Sequence, residues 1–177
     1  MNQQPVTDNT RHIGKYMIFA AWILVLGMLT FFFQKWWEKE NNPNQEYSSQ
    51  ITSKGIREIK LLRNRAGHYV ATGRINNSKV VFLLDTGATT ISIPEKIALK
   101  LKLELGLPYP VHTANGEITV YATRLKKLEL GDILLQDVRA HINPHMQGNE
   151  ILLGMTVLKK LEMIQKGDTL TLRQYPG

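Results

Sequence analysis

The sequence predicts an all-β domain behind a single membrane-spanning helix, and three observations predict it. From about Gly55 onward, short apolar or alternating runs are separated by glycine and asparagine turn signals, the spacing of a small closed β barrel or sandwich. From Tyr16 to Phe33 the chain reads YMIFAAWILVLGMLTFFF, an uncharged stretch long enough to cross a hydrocarbon core of roughly 30 Å as a helix. Between these regions, Glu38 to Lys54 is polar. The 177 residues therefore divide into an N-terminal tail (1–15), a transmembrane anchor (16–37), a flexible linker (38–54) and one folded domain (55–177).

The anchor begins at Tyr16 and is followed by Trp36 and Trp37, residue types that settle at the headgroup level. Arg11 and Lys15 precede it, and Lys35 and Lys39 follow it, so the charges tie and leave its orientation open. A cleaved signal peptide needs small residues at its cleavage site. Bulky FFFQKWW stands there instead, which favours a retained anchor. The linker, EKENNPNQEYSSQITSK, has too few large apolar residues to fold alone. As a random coil it would reach ~20–25 Å, and its extended backbone near Tyr47 would be open to self-cleavage.

In the folded domain, His68 to Ile75 reads as a strand, Asn76-Asn77-Ser78 as a turn and Lys79 to Leu84 as a buried strand. Pro94 opens a short helix that Glu95 to Leu101 continues. Asn115-Gly116 between two extended runs is a hairpin signal. Gly131-Asp132 and Gly167-Asp168 mark further turns, and Asp137 is also read as turn-forming. After Gly154, Met155 to Leu161 spaces apolar residues along one helical face. The terminal run Thr169 to Arg173 alternates like a strand without an evident partner.

Composition removes several function classes. The chain has no cysteine, which excludes thiol nucleophiles, disulfides and cysteine-based metal sites. Its net charge of +7 is spread in pairs such as Lys126-Lys127 and Lys159-Lys160, without interleaved aromatics, so a nucleic-acid partner is not expected. Glycines lack the following Lys-Ser/Thr of a phosphate loop. His141 and His145 are four apart, but Pro144 breaks any helix that would put them on one face, and no metal is expected.

The chemistry-bearing motif is Asp85-Thr86-Gly87, which occurs once, at the end of the apolar run Val80 to Leu84. A three-residue motif is weak by itself, because an Asp after a strand also caps its own turn. Three further features accompany it. Ala88-Thr89-Thr90-Ile91-Ser92-Ile93-Pro94 continues it, the Asn115-Gly116 hairpin lies downstream, and Ile151-Leu152-Leu153-Gly154 leads into the second helix. Together they resemble the retropepsin-like (clan AA) aspartic proteases, most closely the membrane-anchored bacterial members. The resemblance covers about Arg57 to Arg173.

The resemblance implies a closed acid-protease β barrel with one catalytic Asp per chain, and hence a homodimer with both copies of Asp85 on its two-fold axis. Two carboxyls about 3 Å apart share a proton, so one activates water while the other protonates the peptide carbonyl. No cofactor is implied. Thr86 would brace the two catalytic loops, and Gly87 would let backbone N–H groups approach the carboxylate. Gly87, Ala88 and Thr89 would line the substrate floor. Thr113, Ala114, Asn115, Gly116 and Glu117 would form the tip of a flap over the peptide or protein substrate. Leu152, Leu153 and Gly154 would pass behind the catalytic loop. The terminal strand would either pair across the dimer or form an edge of the protomer.

Two departures matter. Ala88 stands where many cellular members have Ser, which removes a hydrogen bond favouring the ionised carboxylate and predicts activity at mildly acidic to neutral pH. Thr89 and Thr90 stand where viral members commonly carry acidic residues. The expected activity is that of an aspartic endopeptidase in a bacterial inner membrane with its domain in the periplasm; the alternative is a non-catalytic peptide-binding or dimerisation module of the same fold.

Overall fold

A computed structural model describes residues 9–113 and 116–176. Contacts divide the chain at Lys39/Glu40. The first unit is carried by α1, Asn9–Asn41, which extends beyond the expected anchor at both ends. Its residues from Gly14 onward form a helix long and apolar enough to span a membrane. Large apolar side chains from Met17 to Phe33 are exposed along it.

The second unit is built from two sheets. The larger has the order β3 (Val70–Ile75), β4 (Ser78–Leu84), β9 (Glu150–Leu153), β5 (Ile91–Pro94), β8 (Ile133–Asn143), β7 (Gly116–Leu130), β6 (Pro108–Thr113). It curls back on itself where β3 also pairs with β7 at Arg74↔Glu129 and Ile75↔Leu128. Hydrophobic alternation places Phe82, Ile91, Ile93, Leu125, Leu128, Ile142, Ile151 and Leu153 inside this curl. The smaller sheet has the order β1 (Ser49–Ile51), β2 (Arg57–Leu62), β11 (Thr169–Gln174), β10 (Glu162–Lys166). It adds Ile59, Leu61, Leu170 and Leu172 to the same core.

The turns follow their residue chemistry. Asn76 and Asn77 both adopt positive φ (48° and 69°), so Ile75 and Ser78 pair directly across a two-residue loop. The first short helix, α2, spans Glu95–Lys100, with Pro94 at its N-cap rather than in its first turn. The second, α3, is only Met155–Leu158, shorter than expected. Lys160 N–H already bonds to the Val157 carbonyl and Leu161 N–H to that of Leu158, so the chain tightens and turns into β10. The terminal strand β11 is neither a free end nor an edge: it lies between β2 and β10. Arg173 fixes it to β2 by donating from Nε to Glu58 Oε2 at 2.6 Å, which holds the buried Glu58 carboxyl below its ordinary range.

The expected flexible linker is the main correction. Residues 42–51 are docked on the domain. Asn44, 1% exposed, bridges the end of β2 and the start of β3. Its Oδ1 accepts from Leu62 N–H at 2.7 Å, and its Nδ2 donates to the Leu62 and Val70 carbonyls at 2.8 and 2.7 Å. Its own carbonyl accepts from Thr72 N–H at 3.0 Å. Buried Asn42 accepts from Asn44 N–H and donates to Thr72 Oγ1. Tyr47 donates to the Thr72 carbonyl at 2.7 Å, and burial pushes its hydroxyl up to about 12. Tyr47 is therefore packed against the core rather than exposed for cleavage. Polar side chains, not apolar ones, make this attachment, which is why composition reads it as free.

Asn44→Ala strips partners from the buried Val70 carbonyl and from both backbone groups of the more exposed Leu62, and is expected to destabilise the domain by about 2 kcal/mol. Exposed Gln45→Ala should change stability by less than about 0.5 kcal/mol. Urea unfolding of the full chain in detergent micelles, followed by circular dichroism, compares them.

Candidate active site

Asp85 lies at the point where β4 ends and the chain crosses to β5. The loop 85–90 makes this crossing over β9, which pairs parallel with β4 (Leu83↔Leu152, Leu84↔Leu153) and antiparallel with β5 (Ser92↔Leu152). Asp85 N–H donates to the Leu153 carbonyl at 3.2 Å, and Leu84 N–H donates to the Tyr69 carbonyl at 2.9 Å. The Asp85 carboxylate is then oriented by its own loop: Gly87 N–H donates to its Oδ1 at 2.8 Å. A Cβ on Gly87 would sit 3.2 Å from that oxygen, so glycine keeps the approach open. Asp85 is half-buried, while Thr86, Gly87 and Thr89 are exposed. Among the described residues the Thr86 hydroxyl has no hydrogen-bond partner.

Leu152 and Leu153 lie on β9, and Gly154 follows them beside this loop. Met155 N–H donates to the Ala88 carbonyl at 2.8 Å and Thr156 N–H to the Thr89 carbonyl at 3.0 Å. The Thr156 hydroxyl adds a second bond to the Thr89 carbonyl at 2.9 Å, a contribution that sequence reading missed. Gly154 is wedged so closely that a Cβ would lie 2.4 Å from the Thr90 carbonyl oxygen and 2.5 Å from that of Ala88.

The expected flap is a hairpin of β6 and β7, with Thr113 paired to Gly116. Thr113 Oγ1 donates to the Gly116 carbonyl at 2.8 Å, and Gly116 has φ 109°, a glycine conformation. Ala114 and Asn115 lie outside the described residues. Glu117 is exposed, 3.2 Å from His112 Nε2 across the two strands.

Sequence reading also missed a side-chain contact at the start of the β6–β7 hairpin. His141 on β8 is 8% exposed, between Ala122 of β7 and Ser92 of β5. Its Nδ1 lies 3.3 Å from the Tyr109 hydroxyl of β6, with the rings near perpendicular. Burial lowers the affinity of His141 for a proton and raises the Tyr109 hydroxyl above its ordinary range. His145 is elsewhere, its N–H bonded to Asn143 Oδ1 in an exposed turn.

A family model described as "gag-polyprotein putative aspartyl protease" matches residues 71–160, the span that holds Asp85, the β6–β7 hairpin, β9 and α3. The chain belongs to the retropepsin-like aspartic protease family. A retropepsin-like aspartic protease from Rickettsia conorii has a similar structure: 26% identity and a TM-score of 0.56, covering 73% of this chain and 95% of that one. An uncharacterized Sinorhizobium protein, encoded 5′ of cobV, is 31% identical over 68% of this chain and 54% of its own length. An uncharacterized protein of Rickettsia prowazekii, RP867, is 29% identical over 75% of this chain and 56% of its own. The chain thus spans about half the length of these curated relatives. Within the retropepsin-like frame, the Asp-Thr-Gly loop and its Leu-Leu-Gly backing strand are the two parts whose hydrogen bonds interlock.

Gly154→Ala should displace the Ala88 and Thr90 carbonyls and destabilise the domain by at least about 2 kcal/mol. Hydrogen exchange read by mass spectrometry should show lost protection in 85–91 and 150–157; unchanged protection would contradict the interlock.

His141 sets a pH response. Its proton affinity is lower folded than unfolded, so the unfolded chain gains protons first on acidification. Its contribution to stability is complete above the unfolded value of about 6.5 and is lost as pH falls toward the lowered folded value. His141→Gln should flatten the dependence of thermal stability on pH below about 6.5, against the wild type measured in the same buffers.

Proposed function

We propose that this chain is a membrane-anchored aspartic endopeptidase that works as a homodimer. The carrying observation is the Asp85 carboxylate, held by Gly87 N–H on an exposed loop at the end of a rigid strand. Water-mediated peptide hydrolysis needs an acid and a base, and one loop supplies one carboxylate. A second copy of Asp85 across a two-fold axis completes the pair. The two would share one proton, because adjacent carboxylates resist double ionisation. The ionised one takes a proton from water as that water attacks the scissile carbonyl. The protonated one donates to the carbonyl oxygen, and a proton then passes to the leaving amine.

The surrounding residues suit supporting roles. The unpartnered, exposed Thr86 hydroxyl is free to donate or accept at a subunit contact beside the dyad. Gly87, Ala88 and Thr89 form the floor beneath an extended peptide. The exposed hairpin of β6 and β7 is the flap, and His141 and Tyr109 brace its base. β9 with Gly154 keeps the floor rigid.

The apolar helix α1 supplies the anchor. Confining protomers to a bilayer raises their effective concentration and favours dimerisation. The domain is proposed to face the periplasm of a bacterial inner membrane. This placement follows the resemblance, since the flanking positive charges tie.

The full chain in detergent micelles, offered a diverse peptide library between about pH 4 and 7.5, should cut peptides at defined bonds read by mass spectrometry. Asp85→Asn should lower the rate by at least about a hundredfold. Equal cutting by Asp85→Asn would overturn the mechanism. An inert full chain that still retains peptides would instead favour a binding module.

A further inference from the structure

The chain after α2 is tied along the middle of β7. Gly106 N–H donates to the Ala122 carbonyl at 2.7 Å, Ala122 N–H to that of Leu107 at 3.1 Å, and Thr123 Oγ1 to that of Glu104 at 2.8 Å. Gly106 permits this approach, since a Cβ there would lie 2.7 Å from the Ala122 oxygen. Between this tied segment, the Asn76-Asn77 turn and strands β7 and β8 lies an open cleft of about 820 Å³. Neither Asp85 nor the described residues of the flap tip line it.

The cleft is cationic. Lys102, Arg124, Lys126, Lys127 and Arg139 line it, against Glu104 and Asp137. Arg124 is paired with Asp137 at 2.9 Å and Lys127 with Glu129 at 2.9 Å. Lys102, Lys126 and Arg139 have no carboxylate within ion-pair distance among the described residues. Arg124 and Arg139 stand directly opposite each other on neighbouring strands, an arrangement that like charges disfavour.

The backbone is irregular at the same place. Asp137 has φ 52° within β8, and the ladder skips the pair it would form with Lys126, between Leu125↔Val138 and Lys127↔Gln136. Strict alternation would bury one of Lys126 and Lys127 and one of Gln136 and Asp137. Instead Lys126, Lys127, Gln136 and Asp137 all stay unburied between core residues on either side. A left-handed aspartate is a strained choice for a strand interior. Its effect here is to turn adjacent charged side chains outward beside the cleft.

An anion relieves both the opposed arginines and the unpaired lysines. The floor contains Leu103, Leu105 and Ala122, so an apolar component fits beneath the cations. Among the described residues no aromatic lines the cleft, which therefore offers no stacking platform of the kind a single-stranded nucleic-acid site uses. Its concavity suits an extended chain rather than a flat bilayer. We propose that this cleft is a second binding site, for an acidic peptide segment carrying apolar residues, separate from the Asp85 centre. The site needs nothing from Asp85, so it stands or fails independently of proteolysis.

The test uses the full chain carrying Asp85→Asn in neutral detergent micelles. A short fluorescein-labelled peptide of alternating Glu and Leu is titrated at low salt, with anisotropy as the readout. Saturable binding is expected, weakened about tenfold or more by Lys126→Glu with Arg139→Glu. Lys159→Glu with Lys160→Glu, the same charge change elsewhere, should leave affinity within about twofold. If the charge-reversed pair fails to fold by circular dichroism, Lys126→Gln with Arg139→Gln replaces it, and should still weaken binding. Equal losses in cleft and control variants would overturn the proposal in favour of diffuse positive charge. So would equal binding of a Gln-Leu peptide. Capture of anionic lipid vesicles through Lys126 and Arg139, with no peptide binding, would overturn it too.

Discussion

The strand Glu150–Leu153 is the constraint on which the site depends. It lies between β4, which ends at Asp85, and β5, which begins at Ile91. Because it pairs with both, the loop between them must cross it. The crossing leaves no volume at Gly154, whose neighbours are the Ala88 and Thr90 carbonyl oxygens. The loop is held there, because Met155 N–H bonds to the Ala88 carbonyl and the Thr156 N–H and hydroxyl bond to that of Thr89. The carboxylate inherits its position from that backbone and its orientation from Gly87. Apolar packing of Phe82, Ile151 and Leu153 makes the strands rigid, and the hydrogen bonds transmit that rigidity to a polar, exposed loop.

The same division of labour recurs where the apolar helix ends. The folded unit begins at Glu40, and within a few residues Asn42 and Asn44 enter its interior. Asn44 satisfies both its amide groups on the backbone of β2 and β3, replacing bonds that a neighbouring strand would make. With Tyr47 on Thr72 and β1 on β2, the segment after the helix becomes part of the domain. The first residues after the helix are therefore held by the domain and do not form a long tether.

Much of this was legible in the sequence where the signal is local. The run Val80 to Leu84 is buried-strand chemistry, Asn76-Asn77 demands a tight turn, and Asn-Gly marks the hairpin. The Asp85-Thr86-Gly87 and Leu152-Leu153-Gly154 runs pointed to the family that the model match over residues 71–160 shows. What stayed hidden depends on partners distant in sequence. Asn44 reads as linker until Leu62 and Val70 are brought to it, and the terminal strand lacks a partner until β2 is folded. His141 reads only as half of a metal pair that Pro144 breaks, until Tyr109 is brought to it. Asp137 reads as a turn residue, and it does take a turn-like φ, but inside a strand. The length of α3 was missed because apolar spacing continues to Leu161 after the helical hydrogen bonds have ended.

The central claim is that two copies of Asp85 form one catalytic centre. Mixing wild type with Asp85→Asn in detergent, at constant total chain and with time to exchange, tests it most directly. If both carboxylates must share a site, cleavage rate should fall as the square of the wild-type fraction. A linear fall would mean that each chain acts alone, and would contradict the account.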